Sequence, residues 1–161
     1  MTGDAADAPH KAAAHERVGR FDLSLPRERA FIAFTPRGEQ GWEQDWHPVF
    51  HGPDADDSAP GTVFETFHRG QLTVWLVVDR RTPEYLRYSR LTPGWSAGTV
   101  TIQLAPQGSG TAVTVTYRMT ALSLDGERRL VEADMDPAAS PATWREPIER
   151  FLRDRPSDPR C

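Results

Sequence analysis

From residue 61 onward, apolar and polar positions alternate with a period of two, and turn residues interrupt the alternation at short intervals. "GTVFETFHR", "LTVWLVVD", "EYLRYSRL", "GTVTIQLAP" and "TAVTVTYRMTAL" read as five successive strands. The links between them, "GQ", "RRTP", "TPGWSA" and "QGSG", are short enough for an antiparallel meander. In the last two strands Val100, Ile102 and Leu104 share a face with Val113, Val115, Tyr117 and Met119. Thr99, Thr101, Gln103, Thr114, Thr116 and Arg118 take the other, so one side of the sheet is apolar and the other faces water. Upstream, "HERVGRFDLSL" sets Val18 and Arg20 against Phe21, Leu23 and Leu25, which predicts one more strand.

The remaining segments have helical signals. "SLPRERAFIAF" offers Ser24 as a cap, Pro26 near the first turn, and Ala30, Phe31 and Phe34 as one apolar stripe. "TPRGEQGW" is a second, shorter helix or turn. After Leu124 come "DGERRLVEADMD" and "SPATWREPIERFLRD", and in the latter Trp144, Ile148, Phe151 and Leu152 fall at i, i+4, i+7 and i+8. Pro147 predicts a kink or a late helix start, and Pro137 and Pro141 a break before it. An apolar sheet face and an apolar helix stripe bury each other when the helix lies across the sheet, an α+β arrangement. Residues 1–14, rich in Ala and Asp, read as a disordered tail; residues 15–155 form the domain; residues 156–161 form a mobile C-terminus.

The order of elements, with the stretches "LPRERAF", "GWEQDWHPVF", "GTVFETF", "TVWLVVDRRTPEYLRYSRLTPG", "GTAVTVTYRMTALSLDG" and "TWREPIERFL", resembles the START-like helix-grip superfamily (SRPBCC). The likeness is to its bacterial polyketide cyclase/dehydrase and lipid-transport group, and it extends over roughly residues 15 to 153. The resemblance implies a curved seven-stranded antiparallel sheet wrapped around a long C-terminal helix, here kinked by its prolines. It also implies two short helices after the first strand and a hydrophobic cavity between sheet and helix. Known roles in the superfamily include lipid and sterol carriers, plant hormone and allergen-type binders, aromatic polyketide cyclases, quinone-binding proteins and activators of a heat-shock chaperone. None of the matching stretches is catalytic there, so they speak to fold more than to activity.

Composition narrows the field. With 161 residues, 38% of them hydrophobic and 26% charged, the chain suits a single soluble domain. A net charge of -4 argues against a nucleic-acid partner, which needs a basic field. The longest apolar run, Val74 to Val78, predicts no membrane insertion. The N-terminus has no basic start followed by an apolar stretch, so the expected location is cytoplasmic. The single cysteine, Cys161, has no intramolecular disulfide partner and reads as a free thiol on a frayed end.

The richest cluster of chemical groups is "GWEQDWHPVFHG", where His47 and His51 stand at the i, i+4 spacing of helical zinc ligands. Pro48 excludes His47 from helical backbone, and in an extended chain four residues span about 13 Å, too far for one ion, so no metal is expected. "GSGT" joins two strands and is a hairpin turn rather than a phosphate loop. With no dinucleotide fingerprint and no nucleophile triad, no cofactor is expected. Trp42 and Trp46 either pack the end of the sheet or line a cavity.

Strand phase maps the expected pocket: Phe64, Thr66 and His68 from one strand, Trp75 from the next, then Tyr88, Arg90 and Tyr117, closed by Trp46 and Trp144. His68, the one histidine this phase turns inward, is either a candidate general base or a satisfied strand-end histidine. Arg90, if inward, needs an anion or several acceptors; a slip of one residue turns it to solvent. These residues predict a binder of a hydrophobic or aromatic small molecule, lipid- or polyketide-like. The alternatives are a cyclase or dehydratase working in the same cavity without metal or nucleotide, and an interaction module of the chaperone-activator kind. A homodimer is left open.

Overall fold

The computed structural model describes residues 14–53 and 55–155. The expected N-terminal tail, apart from Ala14, and the expected mobile C-terminus with Cys161 lie outside the described residues. Strand β1 (Ala14–Leu23) is followed by helix α1 (Arg27–Ala30), a 3-10 turn (Phe31–Phe34), helix α2 (Pro36–Glu39) and the short strand β2 (Val49–Phe50). The meander then runs through β3 (Val63–His68), β4 (Gln71–Arg81), β5 (Tyr85–Thr92), β6 (Ser96–Gln107) and β7 (Gly110–Ala121). Helix α3 (Leu124–Met135), two 3-10 turns (Pro137–Ala139 and Pro141–Trp144) and helix α4 (Arg145–Asp154) follow as the last elements among the described residues. The seven strands form one sheet in the order β1-β7-β6-β5-β4-β3-β2, antiparallel throughout.

Because side chains alternate across a strand, the register sorts the inner face into rows. At one end lie Phe21, Val113 and Leu104, and next to them Gly19, Val115, Ile102 and Leu86. Then follow Arg17, Tyr117, Val100, Tyr88 and Val77. The next row crosses every strand: His15, Met119, Gly98, Arg90, Trp75, Phe64 and Phe50. The face thus passes from wholly apolar to partly charged.

The C-terminal helical segment is divided where its prolines stand. Pro137 and Pro141 each open a 3-10 turn, capped by the Asp136 and Ser140 side chains. Helix α4 therefore starts only at Arg145 and is ten residues long, with Pro147 in its first turn, where a backbone N–H has no intrahelical acceptor to lose. It buries Ile148 and Leu152 against the apolar rows. Helix α3 packs differently, with Gly126 its one buried residue. A Cβ at that glycine would stand 1.8 Å from the Trp95 carbonyl oxygen, so only glycine lets α3 approach the β5–β6 turn this closely.

Ser24 does not cap α1, whose N-cap is Pro26. Its N–H and hydroxyl donate instead to the Glu149 carboxylate, which ties the end of β1 to α4. The Thr35 side chain caps α2, accepting from the Gly38 N–H at 3.1 Å. The short helices are fixed to their surroundings through backbone carbonyls. Tyr88 donates to Phe34 O at 2.8 Å, Trp42 Nε1 to Ala33 O at 2.8 Å and Trp46 Nε1 to Pro36 O at 2.8 Å. Among the described residues, no helix is long and apolar enough to cross a membrane.

Candidate functional site

A cavity of about 410 Å³ opens under the charged rows of the sheet. Its floor includes Trp75, Tyr88, Arg90, Val100 and Tyr117; Phe34, Glu39, Glu43, Trp46 and Trp144 form one wall, and α3 lies across it with Gly126, Leu130 and Ala133. Gly126 and Ala133 leave room beneath the roof, and Leu130 gives it one apolar side chain. Two polar contacts hold α3 down: Arg17 Nη1 donates to Ala133 O at 3.0 Å, and His15 Nδ1 stands 3.6 Å from Asp134 Oδ2. The Arg129 guanidinium adds a contact on the face of Trp95, 3.4 Å from the ring centroid.

Of the residues predicted from strand phase, Trp46, Trp75, Tyr88, Arg90, Tyr117 and Trp144 all line this space. Phe64 and Thr66 point inward as expected but lie one layer deeper. The Phe64 ring stacks on Trp75 at 5.9 Å, and Thr66 Oγ1 accepts from Trp75 Nε1 at 2.9 Å, so both support the cavity wall rather than form it. His68 does not reach the cavity. It shares their phase, but it is the last residue of β3, opposite Gln71 and next to a turn in which Arg69 and Gly70 have positive φ. The hairpin tip projects beyond the layer that covers the sheet, so His68 is exposed.

The histidines of "GWEQDWHPVFHG" are not cavity groups either. His47 is exposed, and His51 Nε2 pairs with Glu65 Oε2 at 3.0 Å on the surface. Among the described residues no group of three or more His, Cys, Asp or Glu side chains is placed to hold a metal. The tryptophans of the stretch do reach inward. Trp46 meets Trp75 edge-on at 5.3 Å and Phe64 at 5.9 Å, and Trp42 packs on Trp144 at 5.5 Å.

Two groups stand out chemically. Arg90 lies over the face of Trp75, its guanidinium carbon 5.4 Å from the ring centroid, and its Nε has no hydrogen-bond partner. Loss of solvent pushes its pKa down, Tyr117 opposes that in part, and the Arg17 charge adds a smaller push downward. Glu39, which strand phase had no means of finding, presents its carboxyl to the cavity from the last residue of α2. Burial, reinforced by Glu43, raises its pKa to about 8, so it is mostly protonated at neutral pH. Burial also raises Tyr117, to about 12, and pushes Tyr88 well above the usual tyrosine value. The Tyr88 hydroxyl is already committed to Phe34 O, so this tyrosine offers the cavity its ring. His15 and Arg17 were equally within reach of the pattern: counting back by twos from Phe21 leads to Gly19, Arg17 and His15.

No family model matches the sequence, and no curated protein matches it. Solved structures do match. Protein MLL2253 from Mesorhizobium loti is similar with a TM-score of 0.64 at 20% identity, over 86% of this chain and 97% of that one. CalU16 from Micromonospora echinospora is similar with a TM-score of 0.57 at 16% identity, over 88% and 87%. Ara h 8.0201 has a TM-score of 0.61 at 11% identity, over 89% of this chain and all of its own. The chain has the helix-grip fold. The space between its sheet and covering helices carries Arg17, Glu39, Arg90 and Tyr117 among aromatic rings.

Proposed function

We propose that this helix-grip protein binds a hydrophobic or aromatic small molecule between the sheet and the helices above it. The observation that carries the reading is a cavity of about 410 Å³ with the rings of Trp46, Trp75 and Tyr88 on its walls and a few polar groups at fixed positions. Small-molecule sites are commonly built this way, in volumes of about 300–1,000 Å³. Burial of the ligand's apolar surface supplies the attraction, about 25 cal/mol for each Å² before the costs of association. A filled core would have favoured an interaction module of the chaperone-activator kind.

Native mass spectrometry of freshly purified protein, followed by extraction, tests the reading directly. The expected result is one copy of a small aromatic or lipid-like molecule per chain. A companion measurement is calorimetric titration with 2-naphthamide, a neutral bicyclic probe. Trp75→Ala is expected to weaken it about tenfold, since stacking on a large aromatic ring is lost. Unchanged affinity in that variant would overturn the assignment of the cavity.

One observation favours catalysis in the same space: a carboxyl with a pKa of about 8 is matched to proton transfer near neutral pH. In a cyclase or dehydratase reading Glu39, and not the exposed His68, is the acid or base. Incubating the extracted molecule with wild type and Glu39→Gln separates the two readings. Turnover by the wild type that Glu39→Gln abolishes supports an enzyme, whereas recovery of unchanged molecule from both supports a carrier.

A further inference from the structure

Burying a guanidinium without an acceptor is costly, and such groups persist where something compensates them. Arg90 is this case. Its Nε is buried without a hydrogen-bond partner, and the charged or polar groups that act on it are Tyr117 and a second cation, Arg17, with no carboxylate among them. Arg17 lies over the Tyr117 ring at 4.7 Å, donates Nη1 to Ala133 O and also leaves a buried Nε unpaired. Arg17 and Tyr117 face each other across β1 and β7, Arg90 lines the same cavity from β5, and both arginine charges act on the Tyr117 hydroxyl, as does Glu39 in the opposite sense. The glutamates on the opposite wall do not complete the set. Glu39 acts on Tyr117 but pairs with neither arginine, and a Glu43 oxygen accepts from the Asp45 N–H at 3.3 Å.

From these positions we infer that the ligand carries an anionic group, a carboxylate or its equivalent, which sits between Arg90 and Arg17 with the Tyr117 hydroxyl beside it. Its apolar body then extends along Trp75. The inference rests on the small-molecule reading above and gives that ligand a chemical class, an aromatic or aliphatic acid. Arginine suits this role because its planar fork meets a carboxylate through two parallel N–H···O bonds. The protein's net charge of -4 repels anions at long range, so a preference for the acid must be local. At neutral pH the protonated Glu39 adds little to that repulsion and has a hydrogen to donate.

Calorimetry at pH 7 with 2-naphthoate and its neutral isostere 2-naphthamide tests this. The wild type is expected to bind the acid at least about tenfold more tightly, as charge-assisted hydrogen bonds require. Arg90→Gln is expected to bring the ratio close to one while 2-naphthamide still binds, and Arg17→Gln to reduce it partway. If 2-naphthamide binds and 2-naphthoate binds no better, or if the preference survives Arg90→Gln, the anion site is overturned and the cavity reading stands. Binding of neither probe overturns both. Thermal unfolding supplies a control that needs no ligand: Arg90→Met, which replaces a half-buried charge without a carboxylate partner by an apolar chain that still covers Trp75, is expected to raise the melting temperature of the empty protein by a few degrees. A lower melting temperature would mean that the guanidinium has a structural partner, and the inference would fall.

Discussion

The two ends of the inner sheet face use the same strands for opposite purposes. At one end the rows led by Phe21 and Gly19 contribute Val113, Leu104, Val115, Ile102 and Leu86, and Ala30, Phe34, Ile148 and Leu152 close over them without polar groups. At the other, the rows led by Arg17 and His15 bring in Tyr117, Arg90 and Trp75 under a helix that buries only Gly126. A shift of two residues along β1 or β5 is enough to pass from one regime to the other. The lesson is that stability and chemistry are divided along the strands rather than between elements, so a strand's role is read position by position.

The division can be broken from the closed end first. Ile148 is fully buried in α4, and Ile148→Ala is expected to cost about 2–5 kcal/mol in urea unfolding, the range for emptying a packed core position. A loss under about 1 kcal/mol would show that the closed end is looser than its packing implies.

From the open end, the pH dependence of stability sharpens the comparison. A carboxyl raised from 4.5 to about 8 holds its proton in the folded chain over a range where the unfolded chain has released it. Glu39 therefore favours folding fully only below about pH 4.5, and the wild type is expected to lose stability as pH rises from there to about 8. The slope from this one group is at most about 1.4 kcal/mol per pH unit. Glu39→Gln is expected to flatten the profile and to be the more stable protein at pH 8.5. Parallel profiles for the two proteins would show that the carboxyl is solvated.

Period and phase made most of the fold readable in advance. The strands from "GTVFETF" to "TAVTVTYRMTAL" needed only alternation and turn residues, and the placement of Trp75, Tyr88 and Arg90 on one face follows from the same count. Three features were not available to that reasoning. Glu39 sits on a four-residue helix, too short to show a period, and nothing in a sequence marks one carboxylate as half-buried against a cavity. The role of α3 depends on Gly126, Leu130 and Ala133 standing over a space, and a helix with one leucine between two small residues reads as weakly amphipathic rather than as a roof. His68 has the right phase at the wrong place, because phase gives a direction and says nothing about where the covering layer ends.

The smallest expected effect concerns that last distinction, tested on two residues of one strand with the same phase. Thr66 is buried and accepts the Trp75 indole hydrogen, so Thr66→Val leaves a buried donor unpaired and is expected to cost about 1–3 kcal/mol. It should also weaken 2-naphthamide, because Trp75 loses the bond that fixes its ring. His68 is exposed at the hairpin tip, where a substitution changes stability by less than about 0.5 kcal/mol. His68→Gln is therefore expected to match the wild type in urea unfolding and in affinity for both naphthalene probes. A tenfold loss of binding in His68→Gln would bring the hairpin tip into contact with the ligand, which the geometry of β3 allows only if that hairpin folds over the cavity.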